Sequence, residues 1–531
     1  MLSSNRLRHA KPLAVDTESL NSSRVMPNPL TGLAIALAST CFPMTSTCAQ
    51  TAAGFTLVPS LQLGETVTNN VDLAATGQRS ESITQVTASL AVGSRSGRVQ
   101  GFLNYGLTGN FYARDVSRSS INRQNSLAAN FDTELIEGRA SVGVSASIGQ
   151  TAVSAFGAQP GLGGLPSSNV TEYRTLSVTP RLKGHLGPAV EYAAGLGHTL
   201  NSASRTSAGD STSTSAFIRL GPSSPGVVGW SVDFSAQQSD YAAGRGATVD
   251  SRLIGTISRR IDALDLLVNA SAGAEDTDLA GFQRAGYWNY GLGLTWAPSP
   301  RTMLAAQLDE RFFGHSHSLR LEHRTALTTW TLSDASSLNS SGNGITAAGR
   351  GTTFDLYFTQ FAAIEPDPAK RTDLVNSYLK ANGLAASSGA ATGFLRTGQT
   401  VVRGQSASVA YRGLRAAAVL AINRSVTLPI TGAPLPGADF VGTASIVSDN
   451  ISMNLSHRLT PASSLNLTLS YQHGYGDRPE QDSDQREFRL QYALGLTDRS
   501  NLTCGARRAV YKRYRASYNE SAAFATYGYR F

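Results

Sequence analysis

Few residues in this chain have the types and spacing that chemistry requires. His315 and His317 alternate along one segment, with His323 in phase further on. Two imidazoles on one strand face are the start of a metal site, but a third or fourth ligand would have to converge on them. The run from His315 to Ser318 also pairs histidine with serine, as lipid hydrolases of membranes do, yet no fuller motif surrounds it. No nucleophile elbow, phosphate-binding loop or zincin helix is present. Gly161, Gly163 and Gly164 form a loop tip without the strand and helix that a nucleotide fingerprint needs. Catalytic residues, cofactors and metals are therefore not expected.

A set of basic residues is more informative. Arg98, Arg219, Arg320, Arg324 and Arg489 each stand among polar residues that alternate with apolar ones. If the polar face lines a channel, these side chains point inward. One sign of charge between low-dielectric walls focuses the field and favours anions or acidic glycans. The alternative is that they pair with lumenal carboxylates such as Asp233 and Glu322.

That alternation dominates the chain. Val228, Trp230, Val232 and Phe234 oppose Gly229, Ser231, Asp233 and Ser235, and Trp288, Tyr290, Leu292, Leu294 and Trp296 oppose Asn289, Gly291, Gly293 and Thr295. Successive side chains of a strand point to opposite faces, so each segment has one apolar face and one small polar face. Connections alternate too. Short turns fall near Glu137–Gly138, Arg260–Asp262 and Arg412–Gly413, and long Gly/Ser-rich loops fall at 114–125, 150–171, 202–211, 238–247 and 274–283.

Composition agrees. Charged residues make up 15% of the 531 residues, against roughly 25% in soluble domains. Mean hydropathy is −0.14, and no apolar run reaches the roughly 18–20 residues of a spanning helix. The expected fold is all-β: one antiparallel up-and-down transmembrane β-barrel with an even strand number, about 16–22, and one short helix in a long loop. The formal surplus of eight positive charges is scattered, with no polybasic block, so nucleic acid is not an expected partner.

Both ends carry signals. Leu30–Ser39 is an apolar stretch of signal-peptide length, and cleavage after Ala49 would leave Thr47 and Ala49 at the small-residue positions. Residues 1–49 are expected to be an N-terminal extension and signal peptide, with Met1 or Met26 as the start, and 50–531 the barrel. Alternation beginning near Phe55 leaves no room for an N-terminal plug domain. At the other end Tyr527, Tyr529 and Phe531 share one face, which resembles the C-terminal signal read by the outer-membrane insertion machinery. Between these ends, Asp367, Pro368 and Gly383 mark the start and stop of a helix over 367–382, with Leu374, Val375, Tyr378 and Leu379 as its apolar stripe. A strand is expected at Thr353–Gln360.

The stretch Leu57–Leu73 (LVPSLQLGETVTNNVDL), the paired segments of Ser82–Phe111, and the later order FDLYFTQF, Pro-x-Pro, the Arg371-containing helix and GFLRTGQ resemble the family of outer-membrane proteins associated with the PEP-CTERM/exosortase sorting system and its exopolysaccharide loci. Asn69-Asn70 departs from the Asp-Asn of that pattern. The resemblance implies a Gram-negative outer membrane, contact with outer-membrane lipids, and exopolysaccharide or export components as partners. It supplies no catalytic residues. The expected function is a non-enzymatic channel or export-associated component, with a plugged structural or adhesive barrel and a barrel-embedded lipid or peptide hydrolase as alternatives.

Overall fold

The computed structural model describes residues 54–115, 123–158, 168–224, 226–242, 247–279, 283–339, 371, 375, 394–430, 437–514 and 516–531. They contain twenty-two strands in one sheet. In chain order these are β1 (Phe55–Thr68), β2 (Glu81–Ser96), β3 (Val99–Tyr112), β4 (Arg123–Ile136), β5 (Ala140–Ala152), β6 (Val170–Leu186), β7 (Val190–Ala203) and β8 (Ser211–Pro222). There follow β9 (Val228–Tyr241), β10 (Thr248–Ile261), β11 (Leu266–Thr277), β12 (Ala285–Ser299), β13 (Thr302–Arg311), β14 (Gly314–Arg324) and β15 (Thr328–Asn339). The last are β16 (Thr400–Arg412), β17 (Ala416–Pro429), β18 (Ile446–Thr460), β19 (Ser463–Tyr475), β20 (Ser483–Gly495), β21 (Ser500–Arg513) and β22 (Ala516–Arg530).

Every strand pairs antiparallel with its sequence neighbours, and β1 pairs with β22, so the sheet closes into a barrel. Closure is what a bilayer demands, because an open edge would leave unpaired backbone groups in hydrocarbon. At the seam Leu61 faces Tyr529 and Leu63 faces Tyr527, and the Phe531 N–H donates to the Pro59 carbonyl at 3.1 Å. The terminal aromatics thus belong to the outward face. Their neighbours there are the exposed Leu61, Leu63 and Val67.

The registers carry that outward parity round the ring. Trp230, Trp288 and Trp330 all lie on it, with Trp288 83% exposed. Large apolar side chains left this open are where a lipid-facing wall puts them. The opposite parity holds small polar groups. At one rim, which also holds the start of β1 and the end of β22, the turns are short. Gly138 and Gly187 take positive φ there (66° and 68°), a conformation that costs glycine little and lets the turns reverse the chain tightly. At the other rim long connections join β1 to β2, β5 to β6, β15 to β16 and β17 to β18.

Two sequence expectations meet limits. The Gly/Ser-rich stretch of 334–352 is part strand at its start, because β15 runs on to Asn339. Of the 367–382 helix only Arg371 and Val375 are described, both helical, and Val375 is fully buried. The rest of that helix, the strand expected at Thr353–Gln360, the glycines at 161–164 and the leader lie outside the described residues.

Candidate functional site: a closure across the long-loop mouth

The lumenal wall is built from hydroxyls and amides that bond one another across strands. Thr87 pairs with Thr108 at 2.8 Å, Thr175 donates to Asn201 at 2.9 Å, Thr199 to Ser177 at 3.0 Å, and Ser333 meets Ser406 at 2.6 Å. These side chains make stretches of neutral hydrogen-bonding surface between the charged groups of the same face, such as the Arg311–Glu275 pair.

The basic residues singled out from the sequence lie at different places on it. Arg219 faces Asp233 across β8 and β9 at 3.5 Å. Arg320 and Arg324 both reach Glu322, at 3.5 and 2.6 Å. Arg489 lies over the Phe524 ring, 4.3 Å from its centroid. Beside it Arg507 and Glu520 form a buried ion pair at 3.0 Å, with the Thr68 hydroxyl donating to Glu520 at 2.8 Å. Arg98 is not on the wall. It sits exposed in the β2–β3 turn and helps line a cleft of about 390 Å³ at the short-turn rim, with Asp132, Glu134, Arg139, Arg181 and Lys183. The set therefore does not form one cluster, and pairing with carboxylates cancels much of the field that unpaired arginines would make.

The histidines also separate from the serines. His315, His317 and His323 share the outward parity, whereas Ser316 and Ser318 have the lumenal one. His315 meets Glu310 at 2.5 Å, His317 meets Asp334 at 3.1 Å, and His323 meets the Thr302 hydroxyl at 2.8 Å. No histidine here aims at Ser318, so the geometry of an activated serine is not formed. No group of three metal-ligating side chains occurs among the described residues.

The buried residues gather instead at the long-loop mouth. After β5 the chain turns inward: the Ser154 N–H donates to the Asn169 side chain at 2.9 Å, and Asn169 Nδ2 donates back to the Ser154 and Ala158 carbonyls at 3.0 and 3.1 Å. This bracing holds Phe156, 2% exposed, over the lumen. Its carbonyl accepts from the Tyr511 phenol of β21 at 2.7 Å. From the β17–β18 connection comes a short 3-10 helix, Ala438–Phe440, whose Asp439 accepts from the Ser154 hydroxyl at 2.8 Å and the Ala155 N–H at 2.7 Å. Gln481, before β20, donates to the Asp439 carbonyl at 3.0 Å.

The third contributor leads into β16. Phe394 forms a parallel bridge with Ala152, and the Leu395 N–H donates to the Ala152 carbonyl at 3.0 Å. β5 and β16 stand half a ring apart in the strand order, so this segment carries the chain from the β5 side of the mouth towards β16. Phe156, Phe394, Phe440, Ile446 and Ala152 make one apolar cluster, with the Phe394 and Phe440 rings 6.2 Å apart. Leu395 packs with Tyr173 and Ala203. Arg396, with no exposed surface, donates to the Thr400 hydroxyl. Burial lowers its guanidinium to about 10, with Tyr241 and Tyr173 acting the other way, so it stays charged at neutral pH. The Asp439 carboxyl is raised by burial, partly offset by the bonds from Ala155 and Ser154.

Sequence reasoning missed Phe156, Phe440, Asp439 and Arg396. A signal was present in the first two: each is a lone large aromatic inside a Gly/Ser/Pro-rich connection, where an unburied ring would have no reason to stand. Which aromatics meet was not readable.

No family model matches the sequence, and no curated protein does. Solved structures are similar in fold. The FrpB iron transporter (F3-3 variant) of Neisseria meningitidis aligns at 10% identity and TM-score 0.46, over 92% of this chain and 84% of that one. The siderophore receptor PirA of Pseudomonas aeruginosa aligns at 13% identity and TM-score 0.33, over 90% and 80%. OccK11 (OpdR) of the same organism aligns at 12% and 0.33, over 90% and 96%. The fold of this chain is a closed antiparallel barrel of twenty-two strands.

Proposed function

We propose that this chain is a conduit in the outer membrane of a Gram-negative cell for exopolysaccharide or related surface material, shut at its outer mouth by the Phe156–Phe394–Phe440 closure. The observation that carries this is the combination of a lumen wall rich in hydroxyl and amide groups with a mouth crossed by segments from β5, β16 and β17–β18. A glycan needs many hydrogen-bond partners along its path, and the lumenal charges here stand largely in opposite-sign pairs. The long-loop rim is the outer side, and the leader and the terminal Phe531 serve export and recognition by the insertion machinery. The PEP-CTERM/exosortase resemblance supplies the cargo class.

The test is single-channel conductance of refolded residues 50–531 in a planar bilayer, after heat-modifiable gel mobility has confirmed folding. The expected result is low conductance that rises when residues 437–443 are replaced by a short Gly/Ser linker, and a drop when an oligosaccharide enters. A folded barrel that never conducts, with or without the closure, would overturn the conduit. It would favour the second reading, a plugged structural or adhesive barrel, for which the fully buried Val375 in the long β15–β16 connection speaks.

A further inference from the structure

The outward wall changes character towards the long-loop rim. On β20 the outward row runs Leu490, Phe488, then Arg486, and on β21 it runs Ala506, then Arg508, Val510 and Lys512. The register sets Val510 opposite Arg486, so Arg508 and Lys512 are both diagonal neighbours of Arg486. Such neighbours stand about 7–8 Å apart, within reach of long side chains. All three cations are exposed. Next to them on β22, Ser521 lies opposite Arg508 and Ser517 opposite Lys512.

Like charges this close repel, and other charged groups on the same face are otherwise engaged. Arg403 is held by Asp334 at 2.9 Å, and Arg424 lies by Asp449 at 3.8 Å. Asp484, opposite Lys512, accepts from the Tyr471 phenol at 2.7 Å and faces His473 at 3.2 Å. Arg486 stacks over the Tyr471 ring, its guanidinium carbon 5.4 Å from the centroid, which holds the guanidinium against the wall while the residue stays exposed. Below the triad Phe488 and Leu490 are 43% and 38% exposed, a surface for acyl chains. A cationic triad at the upper border of an apolar band has the chemistry of a headgroup site: guanidinium and ammonium groups for phosphate, hydroxyls for sugar, and hydrocarbon underneath.

We propose that Arg486, Arg508 and Lys512 hold the phosphate of a phosphorylated glycolipid of the outer leaflet, anchoring the β20–β22 side of the barrel in it. This rests on the long-loop rim being the outer side, not on what the lumen carries.

The test uses the refolded chain in neutral detergent and, as probe, fluorescent lipopolysaccharide, alongside its dephosphorylated form and inorganic phosphate. Binding is measured for the unmodified chain, for the triple variant Arg486→Gln/Arg508→Gln/Lys512→Gln, and for the paired-cation control Arg403→Gln, each first shown to be heat-modifiable. The triple variant is expected to bind about a hundredfold more weakly, near the scale of three cations at a charged surface. The control should stay within about threefold, as for an exposed paired charge. The phosphate-free glycolipid should lose as much as the triple variant does. Equal binding by the triple variant, or by the dephosphorylated probe, would overturn the proposal. Full competition by millimolar inorganic phosphate would assign the triad to free phosphate instead of lipid. Should the triple variant fail to fold, Arg508→Gln and Lys512→Gln measured singly carry the same comparison. Separate conductance of the triple variant tells a failure of this site from a failure of the conduit.

Discussion

The Tyr511 phenol donates to the Phe156 carbonyl at 2.7 Å, joining a strand near the C-terminus to the loop after β5. This hydrogen bond bridges walls that are not neighbours in the sheet. It is one of the contacts through which loops, not strands, set the state of the mouth.

If the aromatic cluster holds the mouth shut, Phe440→Ala releases it. Truncating a buried phenylalanine costs about 3–5 kcal/mol, enough to invert a modest closed preference. Conductance should rise at unchanged barrel melting, since Phe440 contributes to no strand. Unchanged conductance together with normal folding would show that the cluster does not gate.

Closure should depend on pH through Asp439. Its carboxyl is raised by burial in the closed mouth, and it returns to about 3.9 when solvated in an open one. The closed state therefore binds the proton more tightly. Closure strengthens as pH falls through the raised value and is fully favoured below the solvated one. It weakens as pH rises from the solvated value through the raised one, and does not change further above that. Open probability should increase as pH rises from the solvated carboxyl value to the raised one and level off above it, and Asp439→Asn should flatten that profile.

Arg507 and Glu520 are 5% and 2% exposed at the side chain. Glu520→Ala strands a buried guanidinium and should cost about 3–5 kcal/mol, whereas replacing both partners with Leu and Met should cost far less. Urea unfolding followed by gel mobility measures the difference. Equal losses for the single and double variants would mean the pair is not coupled.

Selectivity should be weak because the lumenal arginines have partners. Asp233→Asn leaves Arg219 uncompensated and should move the reversal potential towards anions by roughly a twofold permeability ratio, the scale of an exposed charge. Arg219→Gln should move it the other way. Strong anion selectivity in the unmodified chain would mean that the pairing at 3.5 Å does not screen the field.

Much of the wall was legible because its signal is local. A two-residue period assigns Trp288, Tyr290 and Leu292 to one side and Asn289 and Gly291 to the other without any knowledge of neighbours. The same period carried the terminal aromatics to the outward face, and turn residues such as Gly138 marked the short rim. Arg98 was misplaced because parity cannot tell the last residue of a strand from the first of a turn. The His/Ser run failed as a dyad for the reason that makes strands legible: adjacent residues point apart.

What the sequence determined by itself is the strand, its two faces, and the alternation of short and long connections, all properties of a few consecutive residues. Only the tertiary structure decided the partners. Arg219 finds Asp233 because the β8–β9 register is set by that hairpin, and three cations meet round Val510 because β20 and β21 pair at one offset and not another. Phe394 meets Ala152 at the end of β5, half a ring from β16 in the strand order, and the distance between those walls is set by the number of strands on either side. That distance is a property of the whole ring, so no window of the sequence contains it.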